Sequence, residues 1–210
     1  MTDRPILFSG AMVRALLDGR KTQTRRVLKD QSVFAGKEEI VRRWPRQKGL
    51  GYGETGDRLW VREAWLTESR AYDDLAPSEM GGEETVIFEA DAAWSLNKTV
   101  GRLRAGMHMP RWASRVTLTI TDVRVQRLQD ISEEDAVAEG VVSGTSCLNG
   151  AGWFPSLPAL TMGALPTAKD AYRVLWDSIN ADRGFGWEAN PWVVAVTFTV
   201  ERRNIDEASS

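Results

Sequence analysis

The chain has 210 residues, 42% apolar and 27% charged, enough for one cored domain carrying insertions or a small appendage. With one histidine, His108, and one cysteine, Cys147, neither a His/Cys zinc site nor an internal disulfide can be assembled. The formal charge of -2 hides an asymmetry, because residues 1–48 hold 12 Lys/Arg against 5 Asp/Glu (net +7) and the remainder 15 against 24 (net -9).

A basic first quarter on an acidic body points to a local anionic partner such as a nucleotide or nucleic acid. No stretch approaches the roughly 20 apolar residues that span a bilayer, so no membrane partner is expected. The opening Met1-Thr2-Asp3-Arg4-Pro5 lacks the apolar run of a secretion signal, and the lone cysteine suits a reducing compartment; the expected location is cytoplasmic. Neither GxxxxGK[ST] nor GxGxxG occurs, which leaves a phosphate-cradling or dinucleotide fold without support. A hydrolase here has to work with Lys, Thr, Ser, Tyr and carboxylates, and no cofactor is expected.

In chain order, Pro5-Ile6-Leu7-Phe8 reads as an opening strand. From Ala11 to Leu17, Met12, Val13, Leu16 and Leu17 fall at helical spacing, with Gly19 as the stop. Thr22 to Leu28 reads as a strand, and residues 30–55 as a polar, Gly-rich loop in which Trp44 lies among Arg42, Arg43, Arg46 and Lys48. That tryptophan can stack a base or pack under arginine stems. Gly56-Asp57 turns into a strand through Leu59 and Val61, and Thr85 to Ala90 is a further strand. Val116, Leu118 and Ile120 alternate, then the phase slips to Val123 and Val125, predicting a bulge or tight turn near Thr121-Asp122.

Ser132-Glu133-Glu134-Asp135 is a capping-box start for a short helix ending before Gly140. Residues 141–166, rich in Gly, Pro and small side chains, read as an insertion loop. Ala168 to Ile179 puts Ala171, Tyr172, Leu175 and Trp176 on one helical face. Trp192 to Val200 is a buried closing strand, and residues 205–210 are expected to form a flexible tail. The sum is an α+β chain, most simply a small mixed β-barrel with two or three short helices. Trp60, Trp176 and Trp192 read as core, and Asp57 as a turn residue.

The segment Gly19-Arg20-Lys21-Thr22-Gln23-Thr24-Arg25-Arg26 carries the chemistry. It places four cations and two hydroxyls in one short connection. A lysine three residues before a threonine can hold an anion. Once desolvated, its amine can instead take a proton from a hydroxyl that attacks a carbonyl. The plainer alternative is that Gly19 ends a helix whose carbonyl end the cations flank.

Together with Leu17-Asp18, Thr55-Gly56-Asp57 and Leu128-Gln129-Asp130-Ile131-Ser132, this segment resembles the ASCH domain family, small barrels related to the PUA RNA-binding fold, in wording close to phage and prophage members. The resemblance implies a single PUA-like domain over residues 1–204, with insertions near 64–110 and 141–166. It also implies an activity, since the family includes a small bacterial N(4)-acetylcytidine amidohydrolase. Carried over by motif, Lys21 is the proton acceptor, Thr24 the nucleophile and Glu139 the proton donor. Glu139 is placed by aligning Ile131-Ser132-Glu133 with the start of the family's helix. Arg20, Thr22, Arg25, Arg26 and Trp44 are the candidate substrate-binding residues. This chain is about twice as long as that enzyme and has Gln23 and Arg25 where it has isoleucines.

The leading expectation is a metal-independent amidohydrolase acting on N(4)-acylated cytidine or a related nucleobase amide. The alternatives are a PUA-like reader of RNA or single-stranded or modified DNA, and a metal-independent ribonuclease using Lys21.

Overall fold

The computed structural model describes residues 1–43, 51–91, 99–146, 150–155 and 163–207. Its five-stranded sheet has the order β1-β3-β6-β9-β2, with β1 (Asp3–Leu7) and β2 (Gln23–Val27) at the two edges. The expected α+β class is therefore present, and the sheet is an open one rather than a closed barrel. The chain divides into two compact units, Met1–Leu17, Asp57–Thr119 and Val200–Ser210 in the first, Asp18–Gly56 and Ile120–Thr199 in the second.

In the first unit β1 runs parallel to β3 (Arg58–Arg62), with Ile6 opposite Val61. Strand β3 is antiparallel to the beginning of β6 (Thr117–Arg127), with Leu59 opposite Leu118. Helix α1 (Gly10–Leu17) buries Val13 and Leu16 of the apolar stripe read from the sequence, together with Ala15, while Met12 and Leu17 are half-buried. The short pair β4 (Trp65–Thr67) and β5 (Val86–Phe88) carries Trp65, which is fully buried against Met80, Met109 and Ala113. Glu63 is buried under Arg115, whose guanidinium also holds Asp91. Burial raises the Glu63 carboxyl above its ordinary range despite that partner. In the stretch expected to be loose, Ile205 is fully buried and Asp206 accepts from Arg111 Nη2 at 2.7 Å, so the chain is anchored past Asn204.

In the second unit β2 is antiparallel to β9 (Trp192–Glu201), with Thr24 opposite Val196. Helix α3 (Glu133–Ala138) starts as its sequence predicts: Ser132 is the N-cap and accepts from Asp135 N. Gly140, just past its end, has φ of 99°, a conformation suited to glycine. Helix α4 (Ala168–Asn180) buries Ala171, Tyr172, Leu175 and Trp176, and Thr167 caps it.

Two local readings are corrected. Residues 30–55 contain a short helix, α2 (Glu38–Arg43), because Ile40 and Val41 among acids and arginines suffice for a turn or two. Within residues 141–166, β7 (Val142–Ser146) pairs antiparallel with β8 (Gly150–Phe154), where a plain loop is expected from the sequence. The glycines of this pair disguise it, yet Gly152 is required. A Cβ there would lie 2.7 Å from both Ala164 Cβ and Leu165 O, where the chain beyond β8 returns to bridge Trp153. Strand β6 continues through the slip at Thr121 and Asp122, where two successive residues avoid the core and the inward phase resumes at Val123. Trp60, Trp176 and Trp192 are core. Trp44 and Cys147 lie outside the described residues.

Candidate functional site

All residues of the site belong to the second unit. Helix α3 ends with carbonyl groups that have no partner within the helix. The basic segment supplies donors in reverse order: Thr22 N to Ala138 O at 2.9 Å, Lys21 Nζ to Glu139 O at 3.0 Å, and Arg20 Nη1 to Gly140 O at 3.2 Å. Cations at a helix carboxyl end also meet the negative end of its dipole. The plain capping role offered by the sequence therefore exists, on α3 rather than on α1.

Lys21 has no solvent exposure and Glu139 only 3%. The lysine Nζ donates to Glu139 Oε2 at 2.8 Å and to Gln23 O at 2.8 Å, in addition to the Glu139 carbonyl. Burial lowers the Lys21 pKa from its ordinary 10.5, with Glu139 pulling the other way and Arg26 and Arg25 adding to the depression. The direction is the one a base requires.

Glu139 is held on its other oxygen too. Arg25 Nη1 donates to Glu139 Oε1 at 3.2 Å, while Arg25 Nη2 donates to Asp135 Oδ2 at 2.6 Å. Asp135 also accepts from Gln23 Nε2 at 3.1 Å and from Arg124 Nη2 at 3.3 Å. Gln23 Oε1 accepts from Arg25 Nη1 at 2.5 Å, and Gln23 Nε2 donates to Thr197 Oγ1 at 3.1 Å. Burial alone would raise the Asp135 carboxyl, but Arg25 and Arg124 outweigh it and the net shift is downward. The Tyr172 ring lies 5.9 Å below the Arg25 guanidinium. Burial and the nearby Glu139 charge push its phenol well above the ordinary value of 10.0.

The structure thus brings Lys21 and Glu139 together across a sequence separation of 118 residues. Thr24 is 3% exposed on β2, and Lys21 Nζ makes the three hydrogen bonds above to other atoms. Strand alternation puts Thr24 with half-buried Arg26 on the face opposite Gln23 and Arg25. Lys21 Nζ reaches the backbone of β2 at Gln23 O, 2.8 Å away. Arg20 is turned to Asp18, 2.7 Å away, and to Gly140. The side chain of Thr22 is half-buried, and its backbone ties β9 through Phe198 N to Thr22 O at 2.9 Å.

Sequence reasoning did not single out Asp135, Gln23, Arg124 or Tyr172. A signal existed for Asp135: it lies four residues before Glu139, one turn away on the same helical face. Among the described residues no group of three or more His, Cys, Asp or Glu is placed to hold a metal ion, and no helix is long and apolar enough to cross a membrane.

No protein-family model matches the sequence, and no curated protein matches it. Two solved structures resemble it in outline. One is an ASCH domain from Lactobacillus crispatus, 13% identical, with a TM-score of 0.41 over 95% of this chain and 79% of that one. The other is a DUF984 protein from Enterococcus faecalis, 11% identical, with a TM-score of 0.41 over 98% of this chain and 83% of that one. At such identities and scores the likeness carries nothing about the chemistry of the site. In outline, the chain is similar to an ASCH domain.

Proposed function

We propose that the chain is a metal-independent amidohydrolase that cleaves the N(4)-acyl amide of an acylated cytidine or a related nucleobase amide. The observation that carries this reading is the buried Lys21–Glu139 pair, closed at 2.8 Å. Burial penalises both charges of such a pair, so the form with a neutral amine and a carboxylic acid lies within reach.

Proton transfer from Lys21 to Glu139 then creates the base and the acid in one step. The free amine takes the Thr24 hydroxyl proton as Oγ1 adds to the amide carbonyl. Arg26, on the same face of β2 as Thr24, supplies positive charge for the oxyanion. Collapse of the tetrahedral adduct breaks the C–N bond, and the Glu139 proton leaves with the cytidine amino group. This returns Lys21 to ammonium and Glu139 to carboxylate, with the acyl group on Thr24. In the second half Glu139 accepts a proton from water as the water adds to the ester. Lys21 returns a proton to Thr24 Oγ1, the acid departs, and proton transfer from Glu139 to Lys21 restores the resting pair.

The test is incubation of the purified protein with N(4)-acetylcytidine and related acyl derivatives, with chromatography for cytidine. The expected result is turnover that persists with EDTA and falls by about 100-fold or more in Lys21→Ala. Full activity in Lys21→Ala, or no turnover by wild type on any acyl group, overturns the reading.

A further inference from the structure

A cavity of about 330 Å³ lies in the second unit, lined by α2, β6 and the start of β9. Lys21, Thr24 and Glu139 do not line it. Its volume is at the small end of ligand pockets and suits one ring system rather than a large cofactor.

Val41 and Trp192 supply apolar wall, and the Trp192 indole is fixed by the Arg127 guanidinium 4.3 Å from its ring centre and by Phe34 at 5.6 Å. Arg127 is itself committed to Glu38 at 3.1 Å and to Asn190 O at 3.2 Å, so it braces the wall. Three lining side chains, Gln126, Trp192 and Arg124, carry buried N–H groups, Nε2, Nε1 and Nε, without a hydrogen-bond partner, and of these Arg124 Nε has an ion-pair partner in Asp122 at 3.2 Å. Buried donors in native proteins are nearly always satisfied, and two orphans in one cavity wall call for an acceptor. The exposed carboxylate of Asp130 at the same cavity offers the opposite polarity.

We propose that this cavity binds a nucleobase: a planar ring presenting carbonyl oxygen to Gln126 and Trp192, and an amino or ring N–H group to Asp130. The flat indole wall and the donor-donor-acceptor lining select for that chemistry. A purely apolar ring would leave both N–H groups unmet. The base can come from a free nucleoside or from single-stranded nucleic acid. This site does not depend on the amidohydrolase reading.

The experiment is a titration of the ¹⁵N-labelled full chain, following the Trp192 indole N–H, with its resonance assigned through Trp192→Phe. Cytidine, uridine and guanosine should move that resonance saturably. Adenosine, which has no ring carbonyl, should bind about 10-fold more weakly, and Gln126→Leu should weaken uridine by a similar factor. A short single-stranded oligonucleotide binding more tightly than the nucleosides identifies polymer as the source, and equal affinity identifies the free nucleoside. The proposal is overturned if no saturable shift appears up to about 10 mM, meaning that water alone meets these donors. Equal binding of adenosine overturns it as well.

Discussion

Lys21 Nζ meets Glu139 Oε2 at 2.8 Å across a sequence separation of 118 residues, and both side chains are buried. Removing one partner leaves the other charge inside the protein without its counter-ion, and such losses run to about 3–5 kcal/mol. Lys21→Met should therefore lower the urea midpoint sharply. The double variant Lys21→Met/Glu139→Leu should recover much of that loss, since it removes both buried charges. A single variant as stable as wild type would show that the pair does not form.

The Lys21 shift sets a pH window. Its pKa is lowered from 10.5, so between the folded value and 10.5 the unfolded chain holds more protons than the folded one, and this group's contribution to stability rises with pH. On the amidohydrolase reading the pair works with its one shared proton, so kcat/KM should fall as Lys21 loses that proton to solution, along a limb with its midpoint below 10.5. Arg26 depresses the Lys21 value, so Arg26→Met should move that limb to higher pH. A limb that stays in place in this variant assigns it to another group.

Asp135 should govern the acid side. Its carboxyl lies below the ordinary 3.8, so the stability it contributes is present above that value and is lost as pH falls through the folded one. Asp135→Asn should cost about 2 kcal/mol at neutral pH, because Arg25 loses its partner at 2.6 Å. The cost should vanish in strong acid, where wild type has lost the charge as well. Urea denaturation at two pH values reads the difference.

The ends of α3 can be tested separately. Ser132→Ala removes the acceptor of the Asp135 amide proton and should cost about 1 kcal/mol. Gly140→Ala forces a side chain into a backbone with φ of 99° and should cost about 1–3 kcal/mol. Thermal denaturation reads both. Each should also reduce amide cleavage if Glu139 is the proton donor.

The parts of this molecule legible in its sequence were those with local causes. Gly19 ends α1 with φ of 72°, Ser132 caps α3 through its own hydroxyl, and the Val-rich run from Trp192 forms the long closing strand. What could not be read depended on distant partners. The β7–β8 pair looks like a loop because Gly152 is set by Ala164 and Leu165, which return against it from beyond β8. Arg25 reads from the sequence as a substrate-binding cation, and only the fold shows its partner to be Asp135, 2.6 Å away. The family resemblance named Glu139, but only the fold could bring its carboxylate to Lys21.

Strand β2 finds its sheet partner in β9, where Gln23 faces Thr197, close to the end of the chain. During synthesis the basic segment leaves the ribosome more than a hundred residues before the helix end it caps, and later still before the strand that zips it in place. Until then its row of cations and its open edge stay bare, so a chain stalled before β9 is a ready target for adventitious RNA or for proteolysis, with no assembled catalytic centre to show for it.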